Sequence, residues 1–356
     1  MNDKIKVAIV GGSGYTGIEL IKILDNHKNA EIKYITSRTY AEKKIAEVFP
    51  LTLSLKNNSE LTFIDEIKKG DLNSVDVIFL CLPPGKSMQY VSEIVEIFKG
   101  KIIDLGADFR IKDENEYEKW YKNEHILKEY ISEFIYGLSE INREIIKKAK
   151  YIANPGCYST SALLALAPIL KIKELQIESI NIDSKSGVSG AGKKLKDEYL
   201  FLNIFDNFYA YSAINHRHIP EMEQEINKIS SQKIKICFTP HILPLDRGIF
   251  STIYVNLKKD LNITDIENKI YKYFYNDYKS EIFVKFLGEN IPALKNVVGT
   301  NTAQIGFIFD KRTNVIKIFS AIDNILKGAS GQAVQNMNIM YGLSEDEGLR
   351  FAGIYN

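Results

Sequence analysis

Cys157 is the residue of this chain best placed for covalent chemistry. It stands in Asn154-Pro155-Gly156-Cys157-Tyr158-Ser159-Thr160, where Pro155 and Gly156 interrupt the backbone just before the apolar run of residues 161–170. That punctuation predicts a helix beginning at the cysteine. Amides in the first turn of a helix lack intrahelical acceptors, and the aligned peptide dipoles add positive charge there. A thiol in that position is biased toward thiolate, its nucleophilic form. The plainer alternative is a packing cysteine, the common fate of a free thiol, so the case for catalysis depends on what else the chain carries.

A second cluster, His216-Arg217-His218-Ile219-Pro220-Glu221, holds two of the five histidines. Their spacing puts both imidazoles on one face of an extended segment and does not suit helical metal ligands four residues apart. With no third ligand nearby, no metal is expected. Proton transfer by one imidazole fits better, because its ordinary pKa lies near neutrality.

A third set lies at the N-terminus. Residues 4–10 are β-branched and apolar, Gly11-Gly12-Ser13-Gly14-Tyr15-Thr16-Gly17 follows, and residues 18–24 are helix-periodic. Between a strand and a helix, Gly11, Gly14 and Gly17 let the backbone turn and approach a pyrophosphate. The strand expected at residues 31–36 ends in Ser37-Arg38, where an NAD site usually carries a carboxylate. Guanidinium and hydroxyl can bind a 2′-phosphate, so NADPH is the expected cofactor; a solvated surface Arg is the alternative.

The elements that position these groups read as two domains. Residues 75–82 and 101–105 are buried-strand runs separated by a helix over 87–98, which gives a doubly wound α/β sheet with ligands beyond its carboxyl ends. Asp104, Asp108 and Arg110 fall there, Arg110 as an anion-binding group or as a loop brace paired with either Asp. Residues 113–150 are charged and Tyr-rich and read as helical surface turns. Beyond Cys157 the pattern changes to period two at 179–184, 234–239 and 249–257, with a further strand pair at 302–309 and 315–321. An α+β second domain follows, and residues 332–340 are helical. Within it, residues 186–194 (SGVSGAGKK) form a glycine-rich loop able to meet phosphate through its amides, or else a solvated loop. Cys81 and Cys237 sit in strands and read as inert.

Composition sets the class. The 356 residues are 45% hydrophobic, and 46 basic against 45 acidic residues leave no charge excess to recruit nucleic acid or a membrane surface. Three dispersed cysteines imply neither a disulfide framework nor zinc. No basic leader or apolar run of about 20 residues is present, so a cytoplasmic protein is expected.

A nicotinamide site, a helix-terminal thiol and a histidine together describe reduction through a thioester. An acyl phosphate is activated toward thiolate, and the thioester formed accepts hydride where a carboxylate would not. GGSGYTG (11–17), LGADFR (105–110), ANPGCYST (153–160), SGVSGAGK (186–193), HRHIPE (216–221), FTPHILPLDRGI (238–249) and DNILKGASGQAVQNMN (323–338) resemble, in order, the type 1 N-acetyl-gamma-glutamyl-phosphate reductase family. The resemblance implies NADPH-dependent reduction of N-acetyl-L-glutamyl 5-phosphate in arginine biosynthesis. The homologous aminoadipyl-phosphate reductase of lysine biosynthesis is the alternative. It also implies an aldehyde-dehydrogenase-like fold of the glyceraldehyde-3-phosphate dehydrogenase type and a homo-oligomer, tetramer or dimer, built through the second-domain sheet. The domains would be 1–155, completed by a C-terminal helix over 326–356, and 156–325. By resemblance Cys157 is the nucleophile, His218 the acid/base with His216 as alternative, and Arg110 the substrate-phosphate ligand. The cofactor would meet Gly11, Ser13, Gly14, Tyr15, Thr16, Gly17, Ser37, Arg38, Gly187 and Gln332. Ser139, Ser159 and Ser161 depart from the family's usual residues.

Overall fold

A β-branched strand, a glycine loop and an amphipathic helix open the first of two compact units, residues 1–155 with 329–350. The structure, a computed structural model, describes residues 3–58, 60–193, 196–258 and 266–354. Lys194 of the second glycine loop and the last two residues of the expected terminal helix lie outside them.

In this unit the chain runs through β1 (Ile5–Val10), α1 (Tyr15–Asp25), β2 (Ala30–Ile35), α2 (Ile45–Val48), β3 (Val77–Leu80), α3 (Lys86–Ile94), β4 (Lys101–Asp104), α4 (Glu114–Tyr121), β5 (Phe134–Tyr136), α5 (Ser139–Ile146) and β6 (Tyr151–Ala153). The six strands form one parallel sheet in the order β2-β1-β3-β4-β6-β5. Ala8, Ile78, Leu80 and Ile102 pack with Met88, Val91 and Ile94 of α3. Val7, Ile9, Phe79 and Ile103, pointing the other way, are equally buried. Covering both faces explains why these strands read as unbroken apolar runs. Strand order reverses between β1 and β3, so the glycine loop lies at the switch point where doubly wound sheets bind ligands.

Residues 113–150 are not only surface turns. They contain β5, an edge strand that continues the sheet beside β6, and they bury Tyr117, His125, Leu127 and Phe134. The terminal helix is also shorter than expected over 326–356. A π-helical turn at Leu326–Ser330 precedes an α-helix at Gly331–Met340, and the chain then turns at Gly342 with φ of +68°.

The second unit, residues 156–328 with 351–356, contains α6 (Cys157–Leu170), β7 (Ile177–Ser186), α7 (Phe201–Ile204), β8 (Tyr209–Ala210), α8 (His218–Ile229), β9 (Ile236–Ile242), β10 (Ile249–Leu257), α9 (Ile266–Tyr278), β11 (Val284–Phe286), β12 (Ala303–Asp310) and β13 (Val315–Ile322). Its strands make one mixed sheet, β11-β12-β13-β10-β7-β9-β8. Alternation along β10 decides the layering. Ile249, Ser251, Ile253 and Val255 are buried on one side, while Phe250, Thr252, Tyr254 and Asn256 on the other keep contact with solvent. Helix α6 packs against β10, β13, α8 and α9 and is buried along its length from Tyr158 to Leu170. That burial accounts for a composition with no polar stripe.

Candidate active site

In the first unit, two glycines make the loop after β1 possible. Gly11 has φ of +80°, and a Cβ there would lie 2.6 Å from the Cys81 carbonyl oxygen. A Cβ on Gly17 would lie 2.5 Å from the Gly12 Cα, so α1 packs directly on the loop backbone. At Gly14, the N-cap of α1, the nearest atom would be 3.9 Å away. Space is therefore open where a pyrophosphate would approach. The first turn of α1 has no side-chain cap and no acid, and its first backbone bond runs from Ile18 N to Gly14 O at 3.0 Å. The amides of Tyr15, Thr16 and Gly17 precede that bond and suit an anion.

Around this loop Ser37 Oγ donates to Ser13 Oγ at 2.9 Å, and Thr36 Oγ1 accepts from the Gly11 amide at 3.1 Å. Arg38 follows on the surface, beyond β2, with no ion pair among the described residues. The residues present thus fit a nicotinamide dinucleotide. Desolvation pushes the Cys81 thiol up to about 12, the Thr16 hydroxyl opposing only part of the shift. That thiol stays protonated.

Beyond β4, Asp108 caps α3, accepting from the Gly85 amide at 2.7 Å and the Met88 amide at 3.0 Å, and takes the Tyr117 hydroxyl at 2.8 Å. Asp104 is buried, accepts from Ser87 Oγ at 2.7 Å, and has its pKa raised, first by desolvation and then by the Asp108 charge. Arg110 donates from Nε to the Asn154 carbonyl at 2.7 Å and from Nη2 to the Leu105 carbonyl at 2.8 Å. It braces the loop through backbone oxygens. Gln332 is buried and donates to Ser139 Oγ at 2.7 Å, while that hydroxyl donates to Asn336 Oδ1 at 2.8 Å. The serine at 139 therefore has a place in a polar network that proline could not fill.

In the second unit, Cys157 is the first residue of α6, after the N-cap Gly156. Glu221 Oε1, on α8, accepts from the Gly156 amide at 2.8 Å. His218 is the first residue of α8, and its amide donates to His216 Nδ1 at 3.2 Å. The two histidines are brought together, ring centroids 4.8 Å apart, against the Tyr158 ring, 5.4 Å from His216 and 5.9 Å from His218. Burial pushes His216 down to about 2, with the neighbouring His218 and Arg217 adding to the effect. His216 is thus a neutral acceptor that caps α8. Tyr211 donates its hydroxyl to Tyr158 at 3.1 Å, and desolvation raises both phenols.

The start of the second glycine loop has already spent its amides. Gly187 N donates to the Gly248 carbonyl at 2.9 Å, Val188 N to Leu245 at 2.9 Å and Ser189 N to Asp246 at 3.1 Å. Ser189 Oγ accepts from Asn324 Nδ2 at 3.0 Å. Residues 187–189 are stitched to the 245–248 turn rather than open to phosphate. Glycine frequency signals such a loop, but not which carbonyls its amides will meet.

Sequence reading missed the contributions of Tyr158, Tyr211 and Gly328, the last lying beside Cys157. Tyr158 was adjacent to the cysteine, but only tertiary contact shows it stacked edge-on against both histidines.

The sequence model for the semialdehyde dehydrogenase NAD-binding domain matches residues 6–149, and that for the semialdehyde dehydrogenase dimerisation domain matches residues 157–324. The N-acetyl-gamma-glutamyl-phosphate reductase of Pelotomaculum thermopropionicum is 46% identical over 352 residues, 99% of each chain. That of Caldicellulosiruptor bescii is 47% identical over 351 residues, again 99% of each. Among solved structures, aspartate semialdehyde dehydrogenase II of Vibrio cholerae superposes with a TM-score of 0.70 at 18% identity, covering 96% of this chain and 99% of that one. The Candida albicans aspartate semialdehyde dehydrogenase with NADP gives 0.62 at 15% identity, covering 95% and 99%. These two establish the fold, and the near-full-length identity establishes the rest: the chain belongs to the N-acetyl-gamma-glutamyl-phosphate reductase family.

Proposed function

We propose that this enzyme reduces N-acetyl-L-glutamyl 5-phosphate to N-acetyl-L-glutamate 5-semialdehyde and phosphate, with Cys157 as nucleophile and NADPH as reductant. The observation that carries the chemistry is Cys157 at the N-terminus of α6, with the histidine helix bonded to the amide before it. The helix terminus favours the thiolate, which attacks the acyl carbon. A C–S bond forms as the C–O bond to phosphate breaks, leaving a thioester on Cys157. Bound NADPH supplies the hydride that such a thioester accepts. His218 gives a proton to the oxygen of the reduced adduct and takes it back as the C–S bond breaks, returning the thiolate and freeing the aldehyde. His216, held neutral, orients His218 instead of titrating.

In this reading the glycine loop, Ser13, Tyr15, Thr16 and Ser37 hold the dinucleotide, Arg38 selects its 2′-phosphate, and Gly187 and Gln332 belong to the nicotinamide end. Arg110 supplies the cation for the substrate phosphate. Its bonds to the Asn154 and Leu105 carbonyls fix the guanidinium in place. Residues 1–155 with the terminal helix are the nucleotide domain and 156–325 the catalytic and oligomerisation domain. The open face of the second sheet, with Phe250 and Tyr254 on β10, supports a homo-oligomer, as does the match to a dimerisation domain. No described helix is long and apolar enough to cross a membrane.

Phosphate-dependent reduction of NADP⁺ tests the reading. N-acetylglutamate semialdehyde should be oxidised, aminoadipate semialdehyde derivatives poorly or not at all, and Cys157→Ser should abolish the reaction while NADPH still binds. Preference for the aminoadipyl aldehyde, or turnover in Cys157→Ser, would overturn it.

A further inference from the structure

Between the second glycine loop and the histidines, the chain carries apolar side chains that its own subunit leaves in water. Helix α7 is a single turn in which only Ile204 is buried; Phe201 and Leu202 are 71% and 85% exposed, and Phe205 and Phe208 just beyond are exposed too. One turn is far short of the roughly 12 residues at which a helix begins to hold by its own hydrogen bonds in water. Adjoining large apolar side chains left open mark an interaction surface, where scattered single ones would not. The patch also continues the open face of the second sheet. Phe250 of β10, Lys185 of β7 and His241 of β9 are register partners in one row across that face. The Phe208 ring lies 5.1 Å from the His241 ring, and Ala210 of β8 pairs with His241. Both surfaces fall within residues 157–324, the stretch matched by the dimerisation domain. Charges beside them have both signs, Lys196 with Glu198 and His241 with Asp183, as a contact between two identical surfaces requires. The occupant these features fit is a second copy of this chain.

We infer that a second copy covers α7 together with the adjoining open face, and that this cover fixes the segment leading to the histidines, so that the associated enzyme turns over far faster than the separated subunit. The inference deepens the homo-oligomer reading and rests on the thioester reading for its kinetic half. From Phe208 the chain runs through β8 to Tyr211. The Tyr211 amide donates to the Pro240 carbonyl at 3.0 Å, its hydroxyl donates to the Tyr158 hydroxyl at 3.1 Å, and its ring meets that of His216 edge-on at 5.7 Å. Tyr158 follows the nucleophile in α6, and His216 accepts the His218 amide. Residues 212–215, which complete the path to His216, are exposed, and Ser212 has a left-handed φ of +45°. Tyr211 is thus a tie between the apolar patch and the groups around Cys157. A displacement of about 1 Å at such groups can cost on the order of 10²-fold in rate, so loosening α7 reaches the chemistry without removing any group that touches substrate.

Sedimentation velocity and steady-state rates with N-acetylglutamyl phosphate, run over one dilution series of the unaltered enzyme, test both halves. Turnover per subunit should fall on the order of 10²-fold over the same concentrations at which the oligomer separates. Leu202→Glu then places a charge in the covered surface. Leu202 is exposed within its own subunit, so the fold should persist, as circular dichroism will report. The variant should separate at a protein concentration roughly a hundredfold higher than the parent, because a charge buried without a partner opposes association. Its turnover should fall at concentrations where the parent is associated and recover once the variant is concentrated enough to associate, with NADPH affinity unchanged in a fluorescence titration. Where the parent does not separate on dilution, Leu202→Glu carries the comparison. A monomeric parent, an oligomer that Leu202→Glu leaves as tight as before, or separated subunits with full kcat would each overturn the inference. Weakened NADPH binding with the oligomer intact would do the same by giving the patch to the cofactor. If the unaltered enzyme fails to reduce N-acetylglutamyl phosphate, the functional reading falls, while sedimentation still decides what covers α7.

Discussion

A Cβ built on Gly328 would lie 2.8 Å from the Cβ of Cys157 and 3.2 Å from its Cα. Gly328 belongs to the π-helical turn Leu326–Ser330, pinned by its own amide to the Asp323 carbonyl at 2.9 Å. Single π turns often mark functional sites because they re-aim backbone; here the turn sets a bare glycine against the nucleophile. Gly328→Ala should push the cysteine out of line and lower kcat on the order of 10²-fold without changing NADPH affinity. Steady-state kinetics beside a fluorescence titration of NADPH checks this, and near-normal kcat would show that the turn yields.

The parts of this architecture written in local periodicity were legible before any coordinates. Residues 5–24 carry the β-to-α switch around Gly11, Gly14 and Gly17, and β10 alternates in the sequence as it does in burial. Other parts have no local signature. Strand β5 has three residues in a charged stretch, too short for a period to show. Helix α8 starts at His218 with Arg217 at its N-cap, and the acceptor that caps it is the His216 ring, which no capping pattern anticipates. The Glu221–Gly156 bond and the Gly328–Cys157 approach span 65 and 171 residues of chain (221 − 156 and 328 − 157). Residue types named the chemistry of the candidate site, but which groups support it was decided by pairing far along the chain.

Arg38 is exposed and has no ion pair among the described residues, so its charge is available to a ligand. Removing it should weaken NADPH by tenfold or more, from about 1.5–3 kcal/mol for a hydrogen bond to a charged group, and leave NADH unaffected. The effect belongs in KM, because such a contact is present in ground and transition states alike. Comparing Arg38→Ala and the parent with both cofactors tests it. Unchanged discrimination would move the 2′-phosphate site elsewhere.

Two serines of α6 should respond in opposite directions to loss of their hydroxyls. Ser159 Oγ is buried with no hydrogen-bond partner among the described residues. Ser161 Oγ bonds Ser251 Oγ at 2.9 Å and Ser320 Oγ at 3.1 Å, and Ser184 Oγ joins Ser251 at 2.7 Å. An unsatisfied buried hydroxyl is costly, whereas deleting one member of a satisfied set orphans the others. Ser159→Ala should stabilise by about 1 kcal/mol, helped by the better helix propensity of alanine. Ser161→Ala should destabilise by about 1–2 kcal/mol. Urea-unfolding midpoints measured side by side decide it, and movement in the same direction would discard the argument.

His216 gives the protein a pH dependence whose sign follows from its burial. Desolvation, with the neighbouring His218 and Arg217, pushes its pKa from 6.5 down to about 2, so the folded protein holds the ring neutral. Above pH 6.5 the ring is neutral in folded and unfolded chains alike, and it contributes no slope. Below pH 6.5 the unfolded chain takes up a proton that the folded one refuses, so stability falls with pH until the folded value is reached. The slope is at most about 1.4 kcal/mol per pH unit, reduced by whatever water reaches the ring. His27 and His125, also lowered by burial, act with the same sign, so the contribution of His216 appears only as a difference. His216→Gln keeps an acceptor for the His218 amide and removes the titration. Between pH 6.5 and 5 its unfolding free energy should fall less steeply than that of the parent, and equal slopes would mean that His216 is charged in the folded state after all.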